Sequence, residues 1–300
     1  MVQAVPRSLG SYGPVLQEIE QALQSTQCNL STIGDAIQKD PDLTARLLRL
    51  ANSPFFGFAN RLSTVAEAVS LLGIQQIQDM IVASSVLEQF KGVPDHFVNK
   101  DSFWRHSLAV GITARLLAME RRLPKPDKFF VAGLLHDVGR LVLLSQAAES
   151  AQAVFELYQR ERLLLRDAEK KILGYDHQQI AAELLQSWSY PPVLVQAVAF
   201  HHSPAQSVAK LEAAVVHIAD HLVSAMGIGS SGEQFIPPLD DRAWNVLGLS
   251  PEALPKIIEA VDEQILAVEE AFLKNENRPR PSANPLIQST LISCGPASKN

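Results

Sequence analysis

Imidazole and carboxylate side chains recur through the second half of the sequence and could together bind metal ions. The compact doublet His136–Asp137 stands in GLLHDVGRL, directly after an apolar run. The other candidate ligands are His106, His177, His201, His202 and Asp220. Such ligands suit zinc, iron and manganese, and helices can project them inward from several directions. A bound divalent ion lowers the pKa of its water to about 7 and polarises a phosphoryl oxygen, which is chemistry suited to phosphoester hydrolysis.

The remaining histidines have simpler interpretations, because a lone histidine in a helix is more often a core or surface residue than a ligand. His96 lies in a polar segment and is expected to be solvated. His217 shares a helical face with Asp220 and could be a ligand or an orienting partner, although a satisfied polar contact is the favoured interpretation. His221 points about 100° away from Asp220, which predicts a position at the surface or behind the ligands.

Helical periodicity dominates the sequence, and no run alternates as a strand would. Asp40 can cap a helix whose first residue is Pro41, where the missing N–H would be unpaired anyway. The segments Thr64–Glu67 and Asp176–Gln179 have capping-box spacing, and the second of them surrounds His177. The sequence therefore predicts an all-α fold.

Two further helices are expected to carry the central candidate ligands. Asp101 can cap a helix over 102–122, which contains His106. An apolar helix over 127–137 leads to the HD doublet, and Gly139 is its predicted exit. These elements would present imidazole and carboxylate groups to the same interior.

Bulk composition excludes several classes of protein. The 300 residues are 47% hydrophobic and 19% charged, which is enough for a core and argues against disorder of the whole chain. A net charge of -6 without a basic stripe argues against nucleic-acid and membrane-surface partners. Cys28 and Cys294 have no metal-type spacing, and a reducing cytoplasm fits them. The N-terminus lacks the apolar run of a signal peptide, and charges interrupt the apolar stretch 131–144.

The order of the candidate ligands resembles that of a known superfamily. His106, His136–Asp137 and Asp220 are similar to the H…HD…D pattern of the HD superfamily of metal-dependent phosphohydrolases. The additional His177 and His201–His202 resemble the ligand set of its HD-GYP branch, which builds sites of two or three metals and cleaves cyclic di-GMP. The resemblance implies that these seven residues hold a divalent transition metal, as two ions of iron, manganese or zinc.

A closer resemblance, to the HDOD family, covers roughly 12–204. It rests on long strings, which are DPDLTARLLRLANSPFFG, STVAEAVSLLGIQQIQDMIVAS, FWRHSLAVG, AGLLHDVGRLVLL, LGYDHQQIAAELLQSW and AVAFHH. HDOD proteins are regarded as bacterial signalling modules, often with eroded catalytic residues and no established reaction. The resemblance implies a cytoplasmic regulatory module with a signalling protein as its partner and a nucleotide or phosphate as a candidate ligand.

This likeness also suggests how the chain is organised. We expect an N-terminal helical subdomain over 1–91, packed on an HD-superfamily-like, metal-binding helical domain over 92–230. C-terminal helices over 231–274 and a disordered tail over 275–300 would follow. The tail is rich in Pro, Ser and Asn and has few large apolar residues.

Two positions near the candidate ligands bear on activity. HD-GYP proteins carry a GYP segment after the histidine doublet, but here His202 is followed by SPAQ, which argues against cyclic di-GMP hydrolysis. Arg140 stands where those relatives commonly carry a lysine. A cation there could hold a phosphate, or it could be an ordinary surface charge near a helix end.

The segment 46–58 offers a second choice of interpretations. It could be a recognition surface for a partner protein, or Asn52 could satisfy backbone groups while the phenylalanines wedge two subdomains together. The structural interpretation is the favoured one.

Three functions stay open for the whole chain. The favoured one is a regulatory binding module with bound metal and no established catalytic residue. The second is a metal-dependent phosphohydrolase acting on a nucleotide or phosphodiester, and the third is a structural interaction protein without metal.

Overall fold

The computed structural model describes residues 30–53, 55–74, 76–77, 80–81, 97–188 and 190–273. Every regular element within these ranges is a helix or a helical turn, so the all-α prediction is confirmed. The predicted boundary at 91/92, the tail 275–300, His96 and both cysteines lie outside the described residues.

Three short helices form the described N-terminal part, and the second and third of them begin at the predicted caps. They are α1 Leu30–Gln38, α2 Pro41–Ala51 and α3 Val65–Leu72. Asp40 accepts a hydrogen bond from the backbone N–H of Leu43 at 3.0 Å. Thr64 and Glu67 form the expected capping box at the start of α3. These caps satisfy N–H groups that a helix leaves unpaired at its first turn.

The second part of the molecule is larger and is built around the long helix α4. Its helices are α4 Lys100–Glu120, α5 Asp127–Leu135, α6 Val138–Gln146, α7 Ala148–Glu161, α8 Leu165–Leu173, α9 His177–Ser187, α10 Pro192–Ala199, α11 Lys210–Met226, α12 Asp241–Leu247 and α13 Leu254–Leu273. Helices α5, α11 and α13 pack directly on α4. One continuous apolar core extends from Ile33 in the first part to Val268 in the second.

The loop after α2 packs against the second part of the molecule. Its contacts support the structural interpretation of the segment 46–58. The amide nitrogen of Asn52 donates to the carbonyls of Leu48 and Leu62 at 2.8 and 2.9 Å, and its oxygen accepts from Leu62 N–H at 2.7 Å. The Phe55 side chain is 3% exposed, and its ring centroid lies 4.7 Å from that of Phe130 in α5. Phe55 therefore wedges the N-terminal helices against the helix that leads to His136.

The predicted cap of α4 is wrong by two residues. Asn99, not Asp101, is the cap, because its side-chain oxygen accepts from the backbone N–H of Ser102 at 2.8 Å. Asp101 lies in the first helical turn, where a negative charge still favours the positive end of the helix dipole. The helix that carries His106 is otherwise placed as expected.

The predicted exit at Gly139 is also wrong. Helix α5 ends at Leu135, the chain turns at His136–Asp137, and Gly139 lies in the first turn of α6. A Cβ at this position would overlap the carbonyl oxygen of His177 in α9. The glycine therefore permits the close contact of α6 with α9 and does not end a helix.

The apolar stretch Asp127–Gln146 is the one candidate membrane span, by length and hydropathy, among the described residues. In its most apolar window of 18 residues, 89% of the residues are buried within the fold. The HD doublet divides it into α5 and α6. Its apolar side chains therefore belong to the protein core.

Candidate metal centre

Each candidate ligand stands at a helix end or on a buried helix face. His106 lies on the buried face of α4, and Asp220 lies on that of α11. His136–Asp137 form the corner between α5 and α6, His177 begins α9, and His201–His202 follow α10. Five different parts of the chain therefore deliver ligands to the same interior, as in metal sites of helix bundles.

The local sequence fixes the position of His177. Asp176 caps α9, because its carboxylate accepts from the backbone N–H groups of Gln178 and Gln179 at 3.1 and 3.2 Å. The side chain of Gln179 in turn accepts from the backbone N–H of Asp176 at 3.1 Å. This confirms the predicted capping box and makes His177 the first residue of α9, with its side chain fully buried.

All seven predicted ligands meet in one place, which we call the ligand cluster. It consists of His106, His136, Asp137, His177, His201, His202 and Asp220. The first group within it surrounds Asp220. Nε2 of His106 lies 3.2 Å from Oδ1 of Asp220, and Nε2 of His136 lies 3.9 Å from the same oxygen. Nε2 of His136 also lies 3.3 Å from Oδ2 of Asp137, which links the first group to the second.

The second group surrounds the other oxygen of Asp137. Nε2 of His177 and Nε2 of His201 lie 3.1 and 3.7 Å from its Oδ1. The same two nitrogens are 3.5 Å apart. The ring of His202 lies beside that of His201, with centroids 4.0 Å apart. Asp137 thus offers one carboxylate oxygen to each group.

The donor atoms of the cluster fit a cation. Nδ1 of His136 and Nδ1 of His201 each donate to a backbone carbonyl, at 2.6 and 2.7 Å, so the lone pairs of the two Nε2 atoms point into the cluster. Nε2 of His136 and Oδ1 of Asp137 are buried without a hydrogen-bond partner among the described residues. Converging lone pairs on nitrogen and oxygen are what zinc, iron or manganese bind.

Burial and nearby charges shift the pKa values of His201 and His177 in opposite directions. Burial, reinforced by His136, lowers the pKa of His201 to about 3. At His177, burial and nearby Arg140 also disfavour the cation, but the carboxylates of Glu169 and Asp137 outweigh them and raise the pKa to about 9. Burial acts to raise the pKa of Asp137, yet Arg140 and the neighbouring imidazoles hold it well below its usual range. The bridging carboxylate is therefore ionised at neutral pH.

Two charged residues behind the cluster have roles that the sequence did not indicate. Arg140 is not a surface charge, because it is buried and donates to Oδ2 of Asp137 at 2.7 Å, to Glu169 at 3.3 Å and to Ser231. Glu169 accepts from Nδ1 of His177 at 2.6 Å and from its backbone N–H at 2.8 Å. Spacing places Glu169 on the same face of α8 as Leu165 and Ala168, all three of which are buried, but spacing does not reveal His177 as its partner.

A loop after α11 covers one side of the cluster, and we call its residues 229–237 the strap. Ser230 N–H donates to the carbonyl of Ser102 at 3.2 Å, and Glu233 accepts from Leu165 N–H at 2.7 Å. Gly229 has a φ of +66°, and a Cβ there would overlap the Ser102 carbonyl oxygen, so this close approach requires glycine. The strap leaves a cavity of about 70 Å³, lined by strap residues together with His106, Asp137, Arg140, His202 and Asp220.

The two remaining histidines of α11 support the cluster from behind. Nδ1 of His217 donates to the carbonyl of His201 at 2.7 Å, and its Nε2 accepts from Asp240 N–H at 3.0 Å, which confirms a satisfied polar contact. His221 is buried, so the surface alternative is wrong. Its ring nitrogens lie 2.8 and 2.9 Å from the carbonyl oxygens of His217 and Pro237, and the second contact anchors the strap.

Comparison with solved structures finds the same architecture elsewhere. An HDOD domain protein of unknown function from Geobacter sulfurreducens matches with a TM-score of 0.71 and 25% identity, over 88% of this chain and 93% of that one. A candidate phosphohydrolase from Shewanella amazonensis SB2B matches with a TM-score of 0.70 and 22% identity, over 88% of this chain and 95% of that one. The second likeness concerns the fold alone.

Sequence comparison assigns the family. An uncharacterised protein of Treponema pallidum (strain Nichols) is 26% identical over 191 residues, which are 63% of this chain and 36% of that protein. This chain therefore matches only about a third of that relative's length. The profile of the HDOD domain matches residues 9–204, well over half of the chain. The chain belongs to the HDOD domain family.

Proposed function

We propose that the protein is a regulatory module of bacterial signalling that acts in the cytoplasm, with a metal centre used for binding and for structural order and not for turnover. Membership of the HDOD family and the converging ligand cluster support this proposal. In this proposal the ligand cluster would hold two divalent ions, and Asp137 would contribute to both. One ion would take His106, His136 and Asp220, and the other would take His177, His201 and His202. A signalling protein would receive the output.

The observation that carries this proposal is the strap over one side of the cluster, which leaves only a small cavity. The cavity of about 70 Å³ admits water or a small anion such as phosphate. Sites that enclose a drug-sized ligand usually measure about 300–1,000 Å³. A cyclic dinucleotide would therefore require the strap to move, and the chain also lacks the GYP segment of enzymes that cleave such ligands.

The residues around the cavity explain how a small ligand would be held. Arg140 already donates to the carboxylates of Asp137 and Glu169, so the positive charge offered to an anionic ligand would come mainly from the bound ions. The strap residues Ser230 and Gln234 line the cavity and offer neutral polar groups. Such an arrangement recognises a ligand by contact with bound ions and by size.

One observation favours metal-dependent phosphohydrolase activity as a second candidate. The donor set is complete, and the cavity lies directly beside His106, Asp137 and Asp220. Bound divalent ions would supply an activated water and charge stabilisation at phosphorus. In that case the ligand cluster would hold the ions, and Arg140 would steady negative charge at the cavity wall. The substrate would be a small phosphate ester unless the strap opened.

A hydrolysis panel distinguishes the two functions. The full chain would be loaded with Mn²⁺, Fe²⁺ or Zn²⁺ and incubated with phosphomonoesters, nucleotides, cyclic di-GMP and bis(p-nitrophenyl) phosphate. The regulatory proposal predicts no turnover above that of chelator-treated protein. Metal-dependent turnover that His136→Ala abolishes, while the variant remains folded, would establish the phosphohydrolase instead.

A further inference from the structure

Four side chains form a closed ring of contacts at the second group of the ligand cluster. Oδ2 of Asp137 accepts from Arg140 at 2.7 Å, and the Arg140 Nε donates to Glu169 at 3.3 Å. Glu169 accepts from Nδ1 of His177 at 2.6 Å, and Nε2 of His177 lies 3.1 Å from Oδ1 of Asp137. All four residues are buried. Two candidate ligands are thus fixed by two residues that are not themselves in the cluster.

The first group has no equivalent support among the described residues. Nδ1 of His136 donates to the neutral carbonyl of Gly133, and Nδ1 of His106 is buried without a hydrogen-bond partner. Apart from its contacts with the two imidazoles, Oδ1 of Asp220 accepts a long bond of 3.4 Å from the hydroxyl of Ser224. The carboxylate behind His177 therefore distinguishes the two groups.

A carboxylate behind an imidazole has a defined effect on a metal site. It holds the proton on Nδ1, directs the Nε2 lone pair at the ion and increases the basicity of that lone pair. Loss of such a partner typically weakens metal affinity by about 10–100-fold. Arg140 keeps Glu169 in this place and at the same time orients the shared Asp137.

We infer that Glu169, held by Arg140, is a positioning residue that sets the metal affinity of the His177, His201 and His202 subsite independently of the other subsite. In this role Arg140 links the carboxylates of Asp137 and Glu169 by hydrogen bonds and does not serve as a phosphate contact. The inference rests on the two-ion centre proposed above, and it adds that the two ions bind with separable affinities.

Stepwise metal titration of Glu169→Gln tests this inference. Chelator-stripped full chain would be titrated with Zn²⁺ against a chromophoric competing chelator, with ion content checked by elemental analysis. We expect two binding steps in the wild-type chain. In Glu169→Gln one step should weaken by about 10–100-fold, while the other changes by less than about threefold. Equal weakening of both steps, or no weakening of either, would overturn the inference.

Glu212→Gln is the matched control. Glu212 pairs with Lys128 at 3.1 Å, is also partly shielded from solvent and lies outside the ligand cluster. Both binding steps should keep their wild-type affinity in this variant. A selective loss of one step in Glu212→Gln would also count against the inference, because the effect would then not be specific to Glu169.

A second variant keeps the test decisive if Glu169→Gln does not fold. Glu169→Asp keeps the negative charge beside Arg140 but shortens the side chain by one methylene group, so it lengthens the 2.6 Å contact with Nδ1 of His177. The same selective loss is expected, and equal loss of both steps contradicts it. A wild-type chain that binds no ion refutes the proposed metal centre itself. A wild-type chain that binds two ions, with both variants unchanged, refutes only the role of Glu169.

Discussion

The N-terminal part and the second part of the molecule bury different kinds of side chain. Among the described residues up to 81, Ser53 is the one polar residue that is buried, whereas residues 97–273 bury Arg140, Glu169 and all of the ligand cluster except the half-buried His202. Buried polar and charged groups destabilise a fold unless they are paired. The first part therefore contributes apolar packing, whereas the second part buries polar and charged side chains whose removal from water is unfavourable. Bound ions would pair with those side chains.

The largest expected effect is at the residue shared by both groups. Asp137→Asn removes the negative charge that both proposed ions would share, and it replaces one of the two oxygens by an amide nitrogen. Either the second group then loses its Asp137 oxygen, or the first group loses it and Arg140 loses its 2.7 Å acceptor. We expect more than about 100-fold weaker binding of both ions, since even a supporting residue usually contributes about 10–100-fold. Elemental analysis after dialysis measures this.

Asp127→Asn is the control for that prediction. Asp127 pairs with Arg115 at 2.6 Å at the start of α5 and lies outside the cluster. Its variant should keep the full ion content. If Asp137→Asn also kept two ions, Asp137 would not be the residue on which both groups depend.

Phe55→Ala tests the apolar packing of the N-terminal part. The buried ring packs on Phe130 and Phe56, and loss of a buried phenylalanine typically costs about 3–5 kcal/mol. We expect a decrease of that size in the free energy of unfolding, measured by urea denaturation. The ion content of the folded variant should not change. A folded Phe55→Ala chain without ions would show that the N-terminal part does more than pack.

Gly139→Ala should affect both stability and ion binding. The added methyl group would force α6 from α9, the helices that position Asp137 and His177, at a cost of about 1–3 kcal/mol. Gly34→Ala in α1 is the matched control, because a Cβ there meets only Val65, at 4.0 Å. Denaturation and metal titration should show losses in Gly139→Ala and none in Gly34→Ala. Equal behaviour of the two variants would contradict the close contact of α6 with α9.

The smallest expected effect is a dependence on pH. The raised pKa of His177, about 9, means that an ion must displace a proton there at neutral pH. Affinity at that subsite should rise about tenfold per pH unit up to about pH 9 and then level off. In the ion-free chain this group stabilises the fold below its ordinary pKa of 6.5, and that contribution is lost as the pH rises through about 9. Titrations between pH 6 and 10 measure both.

The stability of the N-terminal part should fall in acidic solution, whereas the contribution of His177 is lost in alkaline solution. Hydrogen bonds from the backbone N–H groups of Ser63 and Thr64 lower the pKa of Glu67. Its contribution to stability is therefore present above the ordinary pKa of 4.5 and is lost in more acidic solution. If both parts lost the same stability between pH 6.5 and 9, the expected difference in their pH dependence would be contradicted.

Local patterns in the sequence predicted much of the fold. The caps at Asp40, Thr64 and Asp176 were confirmed, because capping depends on residues within one helical turn. The corner at His136–Asp137 was missed, since the apolar pattern continues through it and the reason for Gly139 is a contact with a helix far along the chain. The surface alternative for Arg140 was wrong for the same reason, because Glu169 and Ser231, to which it donates, are 29 and 91 residues away.

The candidate site was predicted residue by residue, through the likeness to the HD and HDOD families. The structure brings all seven of those residues together. Their support by Glu169, the strap and His221 could not be derived from spacing, since it depends on how separate helices pack. Their role as metal ligands remains a prediction for experiment.

The most direct test of the account is the ion content and ion position in the wild-type chain. Crystals of metal-saturated protein, measured at the absorption edge of the metal, should show two ions in the ligand cluster. Each should have imidazole nitrogens and an Asp137 oxygen at roughly 2.0–2.2 Å. Saturated protein with no ion in the cluster, and with its imidazoles hydrogen-bonded to water or to one another, would contradict the metal centre.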